Sequence, residues 1–247
     1  NEQDLKTMSE AVEVLRQFKG FSYFTEMSDI INRLEDHVAS ARMKTTPVID
    51  FEKNESLKGL DYLDTIYHAI VNEHPIQLKY RSFKARSANS FIFYPYLLKK
   101  YRNRWFVYGV RGNGRILQNL ALDRIQSLEV LPQEHYIKNT FFDPNTFFDD
   151  LVGVTKNTGS VAEKVGFKVA AAEAPYIITK PIHRSQQVME RLADGSVILE
   201  IEVVINHELE RVFFGYAEGI QVLYPKTLVE LMGRKLKKAA EQYTHSK

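Results

Sequence analysis

The sequence predicts an α+β protein with an N-terminal helical connector, a small β-barrel and a C-terminal ferredoxin-like α/β domain. Apolar residues recur at helical spacing before residue 59, which favours helices there. Aromatic and β-branched residues alternate with polar ones between residues 75 and 131, which favours short strands. After residue 160 the patterns follow the order βαββαβα, typical of an antiparallel sheet with helices on one face.

We divide the chain of 247 residues into four parts. These are a helical connector at 1–59, a barrel at 60–131, a packed linker at 132–160 and the ferredoxin-like domain at 161–247. Four phenylalanines between residues 141 and 148 make the linker too apolar to be fully solvated, and the polar run 155–160 is the clearest boundary. Because the chain starts with Asn1, we expect it to be a fragment of a longer protein.

The composition excludes several classes of protein. The chain is 44% hydrophobic and 26% charged and contains no cysteine, so disulfides and thiolate chemistry are excluded. No apolar run approaches the roughly 20 residues that a membrane helix needs, and the start has no signal-peptide pattern. We therefore expect a cytoplasmic protein.

Positive charge is concentrated in the predicted barrel. Residues 75–131 hold eleven lysines and arginines against two acids, whereas the whole chain has a net charge of only +2. Such a concentration attracts anions, and nucleic acid or a phosphorylated small molecule is the obvious candidate. The Gly112-Asn113-Gly114 turn predicts a hairpin that brings Arg111 and Arg115 together, which is unfavourable unless an anion or carboxylate lies between them.

The same region resembles the WYL domain of bacterial transcriptional regulators. The resemblance is carried by Trp105-Phe106-Val107 and by Leu120-Ala121-Leu122-Asp123-Arg124-Ile125, which is similar to the Arg-x-Phe-Arg-Leu-Asp-Arg-Ile run common in that family. In two places this chain departs from the family pattern. Phe106 replaces the tyrosine of the Trp-Tyr-Leu triplet, and Gln118 and Ala121 stand where arginines are common.

The resemblance implies a fold and a function. It implies an Sm/SH3-like barrel, and residues 219–225 with the closing helix resemble the extension that commonly follows WYL domains. It implies the effector-sensing and dimerising region of a regulator, forming a homodimer that meets DNA through a winged helix-turn-helix absent from this chain. It also implies that the effector is a nucleotide or single-stranded nucleic acid.

Six residues form the predicted ligand-binding set. They are Tyr80, Arg81, Arg104, Arg111, Arg115 and Arg124. Each arginine offers a rigid fork of donors to phosphate, and the tyrosine offers a stacking face. The alternative is that the arginines are solvated or paired with carboxylates and carbonyls nearby. Trp105 is expected in the core, and Asp123 is expected to orient the turn at Arg124 rather than to act as a base.

The sequence gives little support for an enzyme. The seven histidines have no metal-ligand spacing, and nucleophile, phosphate-loop and dinucleotide motifs are absent. We therefore expect no catalytic residues, no metal and no cofactor. Two other functions stay open, a nucleic-acid-binding module without regulatory coupling and a scaffold whose basic face meets an acidic protein.

Overall fold

The computed structural model describes residues 58–112, 114 and 116–244. The predicted connector helices therefore lie outside the described residues, as does Arg115 of the predicted ligand set. The described residues form two compact units that divide between Thr140 and Phe141. Each unit holds one antiparallel sheet with helices, which confirms the α+β class.

The first unit is built on a five-stranded sheet. Its elements are a 3₁₀ turn at Leu60–Tyr62, helix α1 at Leu63–Val71, and strands β1 at Ile76–Tyr80, β2 at Asn89–Tyr101, β3 at Arg104–Arg111, β4 at Leu117–Ala121 and β5 at Ile125–Val130. The strand order is β4-β3-β2-β1-β5, and a second 3₁₀ turn at Leu122–Arg124 joins β4 to β5. β4 and β5 are the two edges, and no pairing between them closes the sheet in the described part of the chain. The predicted closed barrel is therefore not confirmed.

Helix α1 packs on this sheet through one apolar face. Leu63, Ile66 and Ala69 recur at a spacing of three, which places them on one side of the helix, and all three are buried. They share a core with strand residues such as Phe93, which is fully buried. Trp105 packs against the margin of the same core, as the sequence predicts.

Tight hairpins hold β2, β3 and β4 in register. Arg102 and Asn103 form the turn between β2 and β3 and both have positive φ, the conformation that two-residue hairpins require. The predicted hairpin between β3 and β4 is formed. A Cβ at Gly109 would lie 2.1 Å from the carbonyl oxygen of Tyr94, so only glycine fits where β3 crosses the bulge of β2.

The second unit has the predicted order of elements. These are β6 at Glu163–Val169, α2 at Ala174–Thr179, β7 at Gln187–Arg191, β8 at Val197–Val203, α3 at His207–Gly215, β9 at Ile220–Tyr224 and α4 at Lys226–Thr244. The sheet order is β7-β8-β6-β9. Alternate residues of β6 are fully buried, and the ring of Phe167 lies 5.1 Å from that of Phe213 on α3. The name ferredoxin-like stays a prediction.

Only the first half of α4 packs on this core. Leu228 and Met232 are buried, whereas Leu236, one helical turn further along the same face, is 41% exposed. From Gly233 onward every described residue of the helix is exposed, so the apolar spacing continues beyond the part of the helix that packs. Across the described residues, no helix combines the length and the apolarity of a membrane-spanning segment.

Asn206 fastens the end of the predicted linker to the second unit. Its side-chain oxygen accepts from the backbone N–H of Leu209 at 2.8 Å and so caps the start of α3. Its amide nitrogen donates to the carbonyls of Val152 and Thr155 at 3.0 and 2.9 Å. Val152 also lies in the core of this unit. Residues 152–155 are therefore part of the second unit's structure rather than a free linker.

We expect Asn206→Ala to lower the free energy of unfolding of the second unit by about 2 kcal/mol. The change removes the helix cap, worth about 1 kcal/mol, and two amide hydrogen bonds, one buried and one half-buried, that together contribute about 1 kcal/mol more. Urea unfolding followed by far-UV circular dichroism measures the loss.

Asn206→Ser is the matched control, because a serine oxygen still caps the helix and only the amide donors are lost. Its destabilisation should be smaller than that of alanine. The fluorescence of Trp105, the only tryptophan and a residue of the first unit, should keep its unfolding midpoint in both variants. If the serine and alanine variants lose the same free energy of unfolding, the side-chain oxygen of Asn206 does not stabilise the helix as a cap.

Candidate ligand-binding site

A pocket of about 300 Å³ lies where β1 ends and β5 begins. The residues that line it are Arg81, Ser82, Phe83, Asp123, Arg124, Ile125 and Gln126. They come from the segment after β1 and from the 3₁₀ turn that leads into β5. The backbone N–H of Arg81 donates to the carbonyl of Arg124 at 3.1 Å, which holds the two walls together.

Asp123 lies at the centre of the charged groups. Its Oδ2 is 3.2 Å from Nε of Arg104, and its Oδ1 is 3.9 Å from Nε of Arg124. The Asp123 side chain is only 10% exposed, so it is poorly screened by water and its charge must be paired. One carboxylate therefore positions two arginines, one from β3 and one from the turn. The predicted orienting role fits this geometry, but the sequence did not indicate Arg104 as a partner.

Two polar atoms at this point lack partners. Oδ1 of Asp123 and Nε of Arg124 are buried and form no hydrogen bond within the described part of the chain. Leaving such atoms unsatisfied costs about 1–3 kcal/mol each, and in native proteins they are usually bound to water or to a ligand. Both residues line the pocket. The pocket therefore lies beside a buried charged pair whose hydrogen bonding is incomplete.

Tyr80 is the last residue of β1 and is a neighbour of Arg124. The Arg124 guanidinium and the backbone N–H of Ala121 both donate to its hydroxyl. Burial raises the pKa of the Tyr80 hydroxyl, while the neighbouring Arg124 charge opposes the rise. Tyr80 stays protonated at neutral pH and supports Arg124, but it is not among the residues that line the pocket.

Phe83 gives the pocket an aromatic wall that the sequence reasoning missed. Its side chain is 73% exposed, and the Arg124 guanidinium lies 4.6 Å from the centre of its ring. Such a cation–π contact stabilises the arginine and leaves the rest of the ring open to a ligand. The position of Phe83 between Arg81 and Lys84 was the sequence feature that could have indicated it.

Arg111 lies apart from this site. It is seven residues from Arg104 along β3, which corresponds to about 23 Å and to opposite faces of the strand. Its guanidinium packs on the ring of Phe91 at 4.1 Å. The structure thus brings Tyr80, Arg81, Arg104 and Arg124 together and leaves Arg111 elsewhere, while Arg115 lies outside the described residues. A separation of this size prevents one small ligand from contacting the whole predicted set.

The gathered groups suit the binding of an anion. Arg81, Arg104 and Arg124 carry three positive charges against the single charge of Asp123. Positive charge beside a partly closed wall attracts and holds anions, and guanidinium groups match phosphate oxygens in pairs. Among the described residues, no group of three histidines or carboxylates is placed to hold a metal ion.

Two variants that should shift the Tyr80 pKa in opposite directions test this arrangement. Arg124→Met should raise it further, because the variant removes a cation and a hydrogen bond that favour the phenolate. Asp123→Asn should lower it, because the carboxylate charge disfavours the phenolate. NMR titration of ¹³Cζ-labelled tyrosine measures both shifts, with Tyr80→Phe identifying the resonance. Shifts of the same sign in the two variants contradict the geometry.

Comparison with known proteins places the chain in a family. Residues 61–130 match the WYL domain, and residues 162–240 match the WCX domain, so the two matches together span more than half of the chain. No curated protein matches the sequence.

Two solved structures are similar to the chain. One is proteasome accessory factor B/C (PafBC) of Arthrobacter aurescens, with 16% identity and a TM-score of 0.31 over 78% of this chain and 28% of that one. The other is a CRISPR Cas-related protein, with 11% identity and a TM-score of 0.45 over 75% of this chain and 52% of that one. This chain thus spans about a quarter of the first protein and about half of the second. At this sequence identity and TM-score, the similarity carries no information on function. On the two domain matches, the chain belongs to the WYL-domain family, with a WYL domain followed by a WCX domain.

Proposed function

We propose that the chain is the effector-sensing region of a DNA-binding transcriptional regulator, and that its pocket binds a nucleotide or single-stranded nucleic acid. The observation that carries the proposal is that Arg81 and Arg124 line one pocket, whose wall also holds the buried Asp123 carboxylate paired with Arg124 and Arg104. The WYL and WCX domains support the regulatory part, because the WYL family includes bacterial transcriptional regulators.

Phosphate is the group that fits the pocket's charge. Arg81 is exposed on one side of the pocket, and Arg124 is 27% exposed on the other. Two guanidinium groups that face the same space can each donate two hydrogen bonds to phosphate oxygens. Asp123 holds Arg124 in place before any ligand arrives, so less side-chain entropy is lost on binding.

A nucleobase is the group that fits the aromatic wall. Phe83 presents an exposed ring beside the two arginines, and base–aromatic stacking contributes about 1–3 kcal/mol per base. An anion that also carries a flat ring can use both features at once. This is the reason for preferring a nucleotide to an inorganic anion or to an acidic protein partner.

Binding at this point can influence the sheet. The pocket joins the end of β1 to the turn between β4 and β5, the two edge strands. A ligand bound to both walls would favour one arrangement of that turn. A ligand can change a conformation elsewhere only if it binds one of two arrangements more tightly than the other. We propose that this arrangement sets the geometry of a homodimer and, through it, of a DNA-reading domain outside this chain.

The proposal extends to the two folds. In the first unit, the strand order β5-β1-β2-β3-β4 with a 3₁₀ turn before β5 supports an Sm/SH3-like fold whose sheet stays open. In the second, the sheet order β7-β8-β6-β9 with three helices supports a ferredoxin-like domain.

Titration of a fluorescein-labelled ten-nucleotide single strand tests the binding. Affinity should fall steeply with salt, because phosphate contacts release counterions. Arg81→Ala and Arg124→Ala should each weaken binding about tenfold at low salt and make the salt dependence shallower. Fluorescence anisotropy at several salt concentrations gives both quantities.

Arg191→Ala is the matched control, because this arginine is exposed on β7 of the second unit. It should bind the strand as the unchanged protein does. Arg111→Ala should leave the affinity for a mononucleotide unchanged, since Arg111 is about 23 Å from Arg104 along β3. Salt-independent binding, or full affinity in the Arg81 and Arg124 variants, would count against the proposed site.

The alternatives give different results in the same assays. Ligand binding that leaves the mass in light scattering and the hydrogen exchange of the second unit unchanged favours a nucleic-acid-binding module without regulatory coupling. Charge reversal of Arg81 and Arg124 that leaves the affinity for the strand unchanged favours a protein-interaction scaffold.

A further inference from the structure

The loop between β1 and β2 carries positive charge beyond the pocket. It covers residues 81–88, and its first three residues line the pocket. Lys84 and Arg86 come next along the loop, are exposed, and are not among the residues that line the pocket. Cationic side chains therefore continue past the edge of the pocket.

The cations of this loop have no anionic partners. The side chains of Arg81, Lys84 and Arg86 form no ion pair and no hydrogen bond with the residues that the structure describes. The sequence explains this, because it contains no acid between Glu73 and Asp123. Three like charges within six residues repel one another, and nothing on the loop itself neutralises them.

Lysines of the second unit show a different arrangement. On β6, Lys164 lies 3.0 Å from Glu200, and Lys168 lies 3.5 Å from Asp194. Acids and bases alternate in that part of the sequence, so a lysine there finds a partner on the same sheet. The loop after β1 can be neutralised only by an anion from outside it.

A β-turn places an aromatic ring and a cation side by side at the end of this loop. The N–H of Ala85 donates to the carbonyl of Ser82 at 3.0 Å, so Phe83 and Lys84 are the two central residues of the turn. Arg86 lies within about 7 Å of Lys84, measured between Cα atoms, because the chain advances at most about 3.6 Å per residue. Successive phosphates of an extended single strand have a similar spacing. A base stacked on Phe83 would therefore have cations near the phosphates that follow it.

We propose that the site binds a single strand of at least three nucleotides rather than a mononucleotide. The pocket takes one nucleotide, and Lys84 and Arg86 contact the phosphates of the next two. The inference rests on the proposed function of the pocket and decides between its two classes of ligand. The pocket's volume of about 300 Å³ is at the lower end for ligand sites, so further nucleotides must lie outside it. The contacts outside involve phosphates, so they add affinity without reading sequence.

A series of 5′-phosphorylated oligodeoxyadenylates tests the proposal. Strands of one, two and three nucleotides compete with the fluorescein-labelled strand, and fluorescence anisotropy at low salt gives each affinity. The trinucleotide should bind about thirtyfold more tightly than the mononucleotide, because it gains two phosphate contacts. If only the pocket bound nucleotides, three equivalent positions along the trinucleotide would give a gain of about threefold.

Variants of the two loop residues separate the loop from the pocket. Lys84→Ala and Arg86→Ala should each weaken binding of the trinucleotide about fivefold and make its salt dependence shallower. Neither variant should change the affinity for the mononucleotide, because neither side chain lines the pocket. Lys84→Arg and Arg86→Lys are the matched controls, which keep the charge at each position and should bind the trinucleotide as the unchanged protein does. Both positions are exposed, so far-UV circular dichroism should show that all four variants fold.

The outcomes separate this inference from the proposed function. A gain of only about threefold from one to three nucleotides overturns the inference and leaves a mononucleotide site, so the proposed function stands. Full affinity for the trinucleotide in both alanine variants also overturns it. If the labelled strand does not bind at any salt concentration, the proposed function fails and the inference fails with it. A hexaglutamate peptide that competes as well as the trinucleotide overturns the assignment to nucleic acid in favour of an acidic protein.

Discussion

The candidate site depends on one buried carboxylate. Asp123 is taken largely out of water, and a buried negative charge is tolerated only when cations and donors surround it. Arg104 and Arg124 supply those cations from two separate parts of the first unit. The carboxylate neutralises one of the two charges and pairs with both guanidinium groups, so the group of three keeps a net positive charge.

The fold brings these residues together at one end of a sheet. β1 and β5 are neighbours, and the 3₁₀ turn before β5 carries Asp123 and Arg124 to the point where β1 ends. The backbone hydrogen bond from the Arg81 N–H to the Arg124 carbonyl then joins the two segments that line the pocket. Because the pocket is built from segments that follow or precede strands, its position is rigid while its rim is exposed, which suits a binding site.

Much of the fold could be predicted from local patterns. Alternation in β6 and β8, the hairpin between β3 and β4, and the order of elements in the second unit follow from period-two hydrophobicity and turn residues. Closure of the first sheet could not be predicted, because it depends on pairing between strands that no local pattern encodes. The point where the contact of α4 ends could not be predicted for a similar reason, since a helical stripe of apolar residues does not reveal where the sheet beneath it ends.

The sequence by itself determined the residue types of the site, namely a surplus of arginines among aromatic residues in one stretch. Only the tertiary structure decided which of them meet. Strand length and the alternation of faces separate Arg111 from Arg104, whereas a turn places Asp123 and a loop places Phe83 beside Arg124. The physical reason is that charge accumulates along a sequence, but hydrogen bonds and ion pairs act over a few ångströms. Those distances exist only after the chain has folded.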